Sequence, residues 1–430
     1  MLNSITENLR YISQKRLIRN FTSMFTGNIM AQAMSFLLTP IITRLYTPDD
    51  FGIMTYIMTL TGLISIWVCL CYERAILLPA EEKKAESLFR LCLFFTSGVT
   101  IITILVFWGF KALIAASAGI PGIELYLFFV PLGTFIIGIN SSFAQVHIRS
   151  KRFKLVAISR FIFTSTTVFS KIILALLLGA SAVWLVAGNI IGYLAALVLL
   201  MRFYFKYRNN LEPNFLNIDS MWEVAKEYNK FPKYVLPTEI FNSISQSLPV
   251  ILFAALFSPE VVGFYGLANS MLRRPLDLLY SSLSEVFLQK AAEINNYGGD
   301  LFHLQKKTTR VLFLIGIIPF GILTAFGDKI FIFVFGQQWQ TAGVCAQILA
   351  PWLFIGFINN PANQIIIVKQ ALRFKFILEL LYIVFSFAGI YVGYYFFPFD
   401  FKMSVAIFSF IGFSRGLVLN YAGVVFSRKP

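Results

Sequence analysis

Two histidines, His147 and His303, and four cysteines, Cys69, Cys71, Cys92 and Cys345, are all that this chain of 430 residues offers a metal centre. No CxxC pair and no Cys/His cluster occurs among them, so no metal is expected and the cysteines read as small packing residues. Charge is scarce as well, at 13% against about a quarter in ordinary soluble domains. A Ser/His/Asp or Cys/His constellation is missing, and so is a glycine-rich phosphate loop. These absences argue against an enzyme and against a bound cofactor.

What the chain has in surplus is apolar surface. Hydrophobic residues make up 57% of it, and windows of roughly 20 apolar residues recur, each long enough to cross a bilayer as a helix. We read about twelve: 21–44, 50–71, 88–110, 123–147, 155–178, 183–206, 233–257, 261–288, 308–327, 344–368, 374–396 and 402–425. A soluble α-helical protein with so apolar a core would lack the polar surface to cover it.

With residues 1–20 placed in the cytoplasm, the positive charges sort by side. Inside segments carry groups such as Arg74, Lys83, Lys84 and Arg90, then Arg149, Lys151, Arg152 and Lys154; outside turns carry Arg44, Lys111, Lys329 and Lys402. This is the positive-inside rule, and it expects both termini in the cytoplasm. The net charge of +15 is accounted for by topology and calls for no nucleic acid. Residues 5–20 read as an interfacial amphipathic lead-in, not a cleavable signal.

One phrase is written twice. In Thr47-Pro48-Asp49-Asp50-Phe51-Gly52, Thr47 is placed to cap a helix, Pro48 takes its first position, and the acids sit where the helix dipole favours them. Ser258-Pro259-Glu260-Val-Val-Gly263 repeats the order, with the glycine again four residues past the proline. A hairpin written twice implies two copies of one bundle. The expected organisation is a first lobe over residues 1–206, a cytoplasmic linker over 207–232 and a second lobe over 233–430. In the linker, Ser220-Met-Trp-Glu223 predicts a capping box opening a surface helix from Trp222 to Lys230.

Polar residues inside the spans mark what the helices face. A stripe of Asn28, Gln32, Ser35 and Thr39 runs along span 1, with Pro40 a candidate bend. Another runs along span 4 through Thr134, Gly138, Ser141 and Gln145. Span 5 places Arg160 and Lys171 on one face. A charge at membrane depth costs about 2.5–3.5 kcal/mol on the permissive insertion scale, so such residues face protein or water unless they snorkel to the interfaces. Span 7 has Glu239, Asn242, Ser243 and Gln246 between Pro237 and Pro249. Span 8 has Asn269, Arg273, Arg274, Pro275 and Asp277, whose spacing lets the aspartate neutralise one arginine. Span 10 bears Asn359, Asn360, Asn363 and Gln364. Glu379 on span 11 and Arg415 on span 12 lie at similar depth, as a structural pair or as separate working charges. Glu73 and Arg74 read most simply as an interfacial pair.

Several of these stretches carry a family likeness. Tyr72-Glu73-Arg74-Ala-Ile-Leu-Leu-Pro79 and the Thr47–Gly52 turn in the first half resemble bacterial polysaccharide-unit flippases of the multidrug/oligosaccharidyl-lipid/polysaccharide exporter superfamily. So do Lys226-Glu-Tyr-Asn-Lys-Phe231-Pro232, Phe257-Ser258-Pro259, Arg274-Pro275 and Glu285-Val286-Phe287 in the second. The resemblance implies an all-α integral membrane protein with two six-helix lobes, arranged as a parallel repeat around a V-shaped central cavity lined by spans 1, 2, 7 and 8. It implies movement of an undecaprenyl-diphosphate-linked oligosaccharide from the inner to the outer leaflet of the bacterial cytoplasmic membrane. Cavity cations would meet the diphosphate or acidic sugars, and Arg273 or Arg274 match that role, followed by Arg160, Lys171 and Arg415. Asn28, Gln32, Gln145, Asn269 and Gln246 are the polar lining. Glu239, Asn242 and Glu379 are the nearest candidates for a Na+ or H+ coupling site. Membrane lipid and the polymerase and chain-length machinery of the same pathway are the expected partners. A drug–cation antiporter on the same scaffold is the first rival, and a membrane-embedded polymerase or ligase the second; short outside loops count against the latter.

Overall fold

The computed structural model describes residues 29–120, 122–207 and 218–428. Among the described residues the chain is helical throughout, and nine helices are long and apolar enough to cross a membrane. In chain order the first half comprises α1 (Ile29–Leu45), α2 (Pro48–Ser65), α3 (Tyr72–Ala75), α4 (Glu82–Gly109), α5 (Lys111–Ala118), α6 (Glu124–Leu127), α7 (Phe129–Arg149), α8 (Phe153–Leu178) and α9 (Ala182–Tyr207). There follow α10 (Ile218–Glu227), a π-turn at Phe231–Val235, α11 (Leu236–Leu256), α12 (Pro259–Asn296), α13 (Leu301–Phe335), α14 (Gln340–Ile358), α15 (Asn360–Val368), α16 (Leu372–Phe396) and α17 (Phe401–Arg428). Leu105, Trp108, Phe333 and Phe410 are largely exposed, as side chains facing lipid are and as soluble surfaces avoid.

The chain divides into two compact units. One comprises the described residues of Met1–Tyr46, Ile57–Ser117 and Pro121–Ile244; the other comprises Thr47–Tyr56, Ala118–Ile120 and the described residues of Ser245–Pro430. Two helices are therefore shared: the first half of α2 packs with the second unit, and the first half of α11 with the first. The first unit's core gathers Val68, Tyr72, Leu88, Phe89, Phe143 and Leu200 from α3, α4, α7, α9 and the turns after α2. α10 lies on this core: Met221, Val224 and Ala225 are buried, Tyr72 donates its hydroxyl to the Ala225 carbonyl at 2.9 Å, and Lys84 meets Glu227 at 2.7 Å.

Both capped turns form. Thr47 Oγ1 accepts from the Asp50 amide at 3.3 Å while Asp50 Oδ2 accepts from the Thr47 amide at 3.1 Å, a reciprocal box that satisfies two helix-end donors. Ser258 Oγ accepts from the Val261 amide at 3.4 Å.

Several boundaries differ from the expectations. Ser220 does not cap α10, which is already helical at Ile218; its hydroxyl instead accepts from Ser87 at 3.2 Å. Pro249, where a break is expected, does not end its helix, because a membrane helix re-satisfies the freed carbonyl locally; α1 and α12 likewise run on through Pro40 and Pro275. The breaks fall elsewhere. α2 stops at Ser65, and residues 66–71 are turns in which Leu70 and Cys71 hold left-handed φ angles of 49° and 63°. Span 10 divides at Asn359 into α14 and α15, and α13 kinks at Phe326 (φ −130°).

Candidate functional site

The two copies of the repeated turn meet. A Cβ placed on Gly52 would collide with the carbonyl oxygen of Pro259, and one on Gly263 with the carbonyl of Pro48. The second Cβ would also stand 3.1 Å from the Gly52 amide nitrogen. Each copy of the motif thus supplies the glycine that admits the other's proline carbonyl, so α2 and α12 cross backbone to backbone at their first turns. Phe51 and Phe264, the residues beside the two glycines, both pack edge-on to Trp339, at 4.8 Å and 6.2 Å between ring centroids. Trp339 is fully buried.

Further along α12 the second unit encloses a cavity of about 240 Å³. α12 contributes Arg273, Asp277 and Tyr280; α14 contributes Trp352; α17 contributes Arg415; Asn359 and Asn363 line it at the α14–α15 break. Small residues Gly356, Gly412 and Gly416 leave the space open. Arg273 donates to Gln246 Oε1 at 3.0 Å and lies over the Trp352 ring, 5.5 Å from its centroid. Arg415 pairs with Glu379 at 2.8 Å and covers Tyr382 at 4.7 Å. Neither arrangement uses up the guanidinium, which has five donors, and Arg415 Nε is buried without a partner among the described residues. The charges on the wall are two guanidiniums and one carboxylate, Asp277. Glu379 stands behind Arg415 and lowers its net field. The cavity is smaller than the ~300 Å³ lower end of common ligand pockets.

The remaining sequence-predicted residues are distributed as follows. Gln246 reaches this cavity's wall through Arg273, and Asn269 is half-buried on α12 with its Oδ1 unmatched. Arg274 is exposed on α12 and is not part of the cavity lining. Lys171 is buried in the first unit between α8 and α9, where it donates to Asn189 Oδ1 at 3.2 Å and lies against Gly188. Arg160 is exposed on α8. Gln145 is half-buried on α7 with its Oε1 unmatched, and Gln32 is half-buried on α1. Asn28 lies outside the described residues. Glu239 pairs with Arg74 at 2.8 Å within the first unit, Asn242 is exposed one turn further along α11, and Glu379 belongs to the second unit's pair.

One expected pairing changes. Arg74 turns to Glu239, not to the adjacent Glu73, because consecutive residues of a helical turn do not face each other. Arg273 gives a hydrogen bond to Gln246, and its charge also acts on Asp277 on the cavity wall. The span 4 stripe is largely packing: Thr134 and Gly138 are buried, and a Cβ on Gly138 would press into Val68 and Thr96.

With the fold and this cavity described, relatives can be compared. The model of a family described as "Polysaccharide biosynthesis protein" matches residues 41–343. The chain belongs to that family. It is 22% identical over 394 residues to the capsular polysaccharide biosynthesis protein CapF of Staphylococcus aureus, covering 88% of this chain and 93% of the relative. Among solved structures it is similar to the lipid II flippase MurJ in an inward closed conformation, with TM-score 0.73 and 12% identity over 92% of this chain and 87% of MurJ. An inward-facing multidrug resistance MATE transporter of the MOP superfamily matches with TM-score 0.69 and 11% identity over 95% and 97%. These likenesses establish a transporter fold, and with the apolar helices they make the chain a multi-pass membrane protein. For a member of the polysaccharide biosynthesis family, the residues that sequence reasoning passed over are Trp352, Tyr280 and Trp339. An aromatic residue in mid-span looks like lipid-facing bulk until its neighbours are known.

Proposed function

We propose that this member of the polysaccharide biosynthesis family is a flippase for an undecaprenyl-diphosphate-linked oligosaccharide repeat unit. It would carry that unit from the inner to the outer leaflet of the bacterial cytoplasmic membrane for O-antigen, capsule or exopolysaccharide assembly. In this reading the chain makes twelve spans in two six-helix lobes, 1–206 and 233–430, with both termini in the cytoplasm, and works by alternating access. The observation that carries the reading is the convergence of Arg273 and Arg415 on one cavity faced by Trp352 and Tyr280.

The chemistry fits that cargo. A diphosphate bearing a sugar chain has no route through hydrocarbon, where each charge is costly. Guanidiniums replace its water shell with charge-assisted, bidentate hydrogen bonds, and aromatic faces suit the apolar face of a sugar ring. The polyprenyl tail remains in lipid. Holding Arg273 on Trp352 and Arg415 on Glu379 orients both side chains in advance, so little side-chain freedom is lost on binding.

The test separates residues as well as functions. Arg273→Ala and Arg415→Ala should each abolish surface polymer while the protein remains in the membrane, and Arg274→Ala should leave polymer made. Wild-type polymer in Arg273→Ala, in Arg415→Ala and in the double variant would remove the cavity from the mechanism. Export of cationic drugs without effect on polymer would favour the antiporter, a reading to which Asp277 on the cavity wall lends some support.

A further inference from the structure

Beyond the cavity, the first unit holds a carboxyl group that the flippase reading does not use. The turns after α2 deliver Glu73 inward. Leu70 and Cys71 precede it in left-handed conformations, which residues that are neither glycine nor asparagine rarely adopt. The surroundings must over-determine such a break. Glu73 Oε2 is buried and meets no hydrogen-bond partner among the described residues. Its neighbour Arg74 reaches Glu239 at 2.8 Å instead.

We propose that Glu73 is a proton-binding site that sets the strength of the Arg74–Glu239 link; its use in coupling rests on the transporter reading above. An ionised carboxylate with a buried, unpartnered oxygen is strongly disfavoured, whereas the neutral acid forgoes only one hydrogen bond. Burial thus favours the protonated form of Glu73, while a backbone hydrogen bond and the charge of Arg74 act the other way. When the acid gives its proton to water, a second negative charge arises beside Glu239 and both carboxylates compete for Arg74. The link then weakens. While Glu239 is ionised, a proton on Glu73 favours the linked arrangement and its loss the released one.

The groups around Glu73 leave this role to it. From its own segment it faces Arg74, Cys69 and Cys71; from α4, Cys92; from α11, Glu239. α7 brings Arg149, whose guanidinium is engaged by the Ile76 and Pro79 carbonyls and by Glu82. The π-turn brings Lys233, which lies over Tyr234. The Arg74 and Glu239 side chains are 48% and 31% exposed, so the pair beside Glu73 is not sealed inside the first unit. Glu239 lies on the part of α11 that packs with the first unit, before contacts pass to the second at Ile244 and Ser245. Whatever fixes Glu239 therefore fixes the start of a helix that both units share.

Amide hydrogen exchange over residues 231–244 of the purified full chain, followed from acid to alkaline pH and corrected for intrinsic exchange, tests this. Over the pH range in which Glu239 stays ionised, wild-type protection should fall as pH rises, by at most about tenfold per pH unit, the limit for one linked proton. Over the same range Glu73→Gln, a permanently neutral isostere, should remain protected throughout, and Glu239→Gln should be unprotected throughout. Absence of pH dependence in the wild type overturns the proposal whether or not the variants fold, and so does a wild-type profile in Glu73→Gln. Exchange is read without substrate, so this result and the flipping result can fail independently.

Discussion

Gly52 and Gly263 occupy equivalent places in the two copies of the capped turn, and each accepts the other copy's proline carbonyl where a side chain would stand. This reciprocal contact turns a sequence repeat into a physical crossing of α2 and α12. Alanine at either position adds one methyl to a backbone-to-backbone contact that has no flexible side chain to yield. Overpacking of this kind costs about 1–3 kcal/mol. Gly52→Ala and Gly263→Ala should each lower the melting temperature in detergent and reduce surface polymer, and Gly62→Ala, where a Cβ meets open space, should do neither. The measurement is a thermal shift paired with polymer quantification.

The same crossing carries a pH dependence. Glu260, at the first turn of α12, has its carboxyl raised above the usual carboxylate range by burial and by the facing charge of Asp49. A carboxyl raised in the packed state binds its proton more tightly there. The crossing is therefore firmest below the ordinary carboxylate range and loosens as pH rises through the raised value. Glu260→Gln should flatten the pH dependence of thermal stability on its acidic limb, read by melting curves at a series of pH values.

Glu379 and Arg415 test how the cavity is held. Glu379→Gln leaves a guanidinium without its counter-charge, a change that costs about 3–5 kcal/mol where the pair is buried and less here, because the two side chains are 27% and 26% exposed. The single variant should be clearly less stable. Glu379→Leu combined with Arg415→Met should recover most of the stability and none of the polymer, as measured by chemical denaturation and polymer assay. That split distinguishes a residue needed for the fold from one needed for transport.

The amount legible in sequence followed the physics of each signal. Hydropathy marked the nine long apolar helices among the described residues, because a membrane span must be long and apolar throughout. The repeated caps placed the starts of α2 and α12, because Ser, Thr and Pro at helix starts have local causes, but not the contact between them. The break at Leu70 and Cys71 left no local trace, since neither residue favours a left-handed conformation and only packing imposes it. Pairings were equally hidden: Arg74 finds Glu239 from another part of the chain, and Arg273 finds Gln246 on the preceding helix. Trp352 could be assigned to the cavity only once α12, α14 and α17 were seen together.

The most direct test of the account is leaflet transfer in proteoliposomes containing an undecaprenyl-diphosphate-linked oligosaccharide, read by accessibility of the sugar to an impermeant enzyme or lectin. Wild-type protein should expose the inner-leaflet pool, Arg274→Ala should do so comparably, and Arg273→Ala should match protein-free vesicles. Equal transfer by Arg273→Ala and wild type, or no transfer by folded wild-type protein, would contradict the claim that the α12–α14–α17 cavity carries the headgroup.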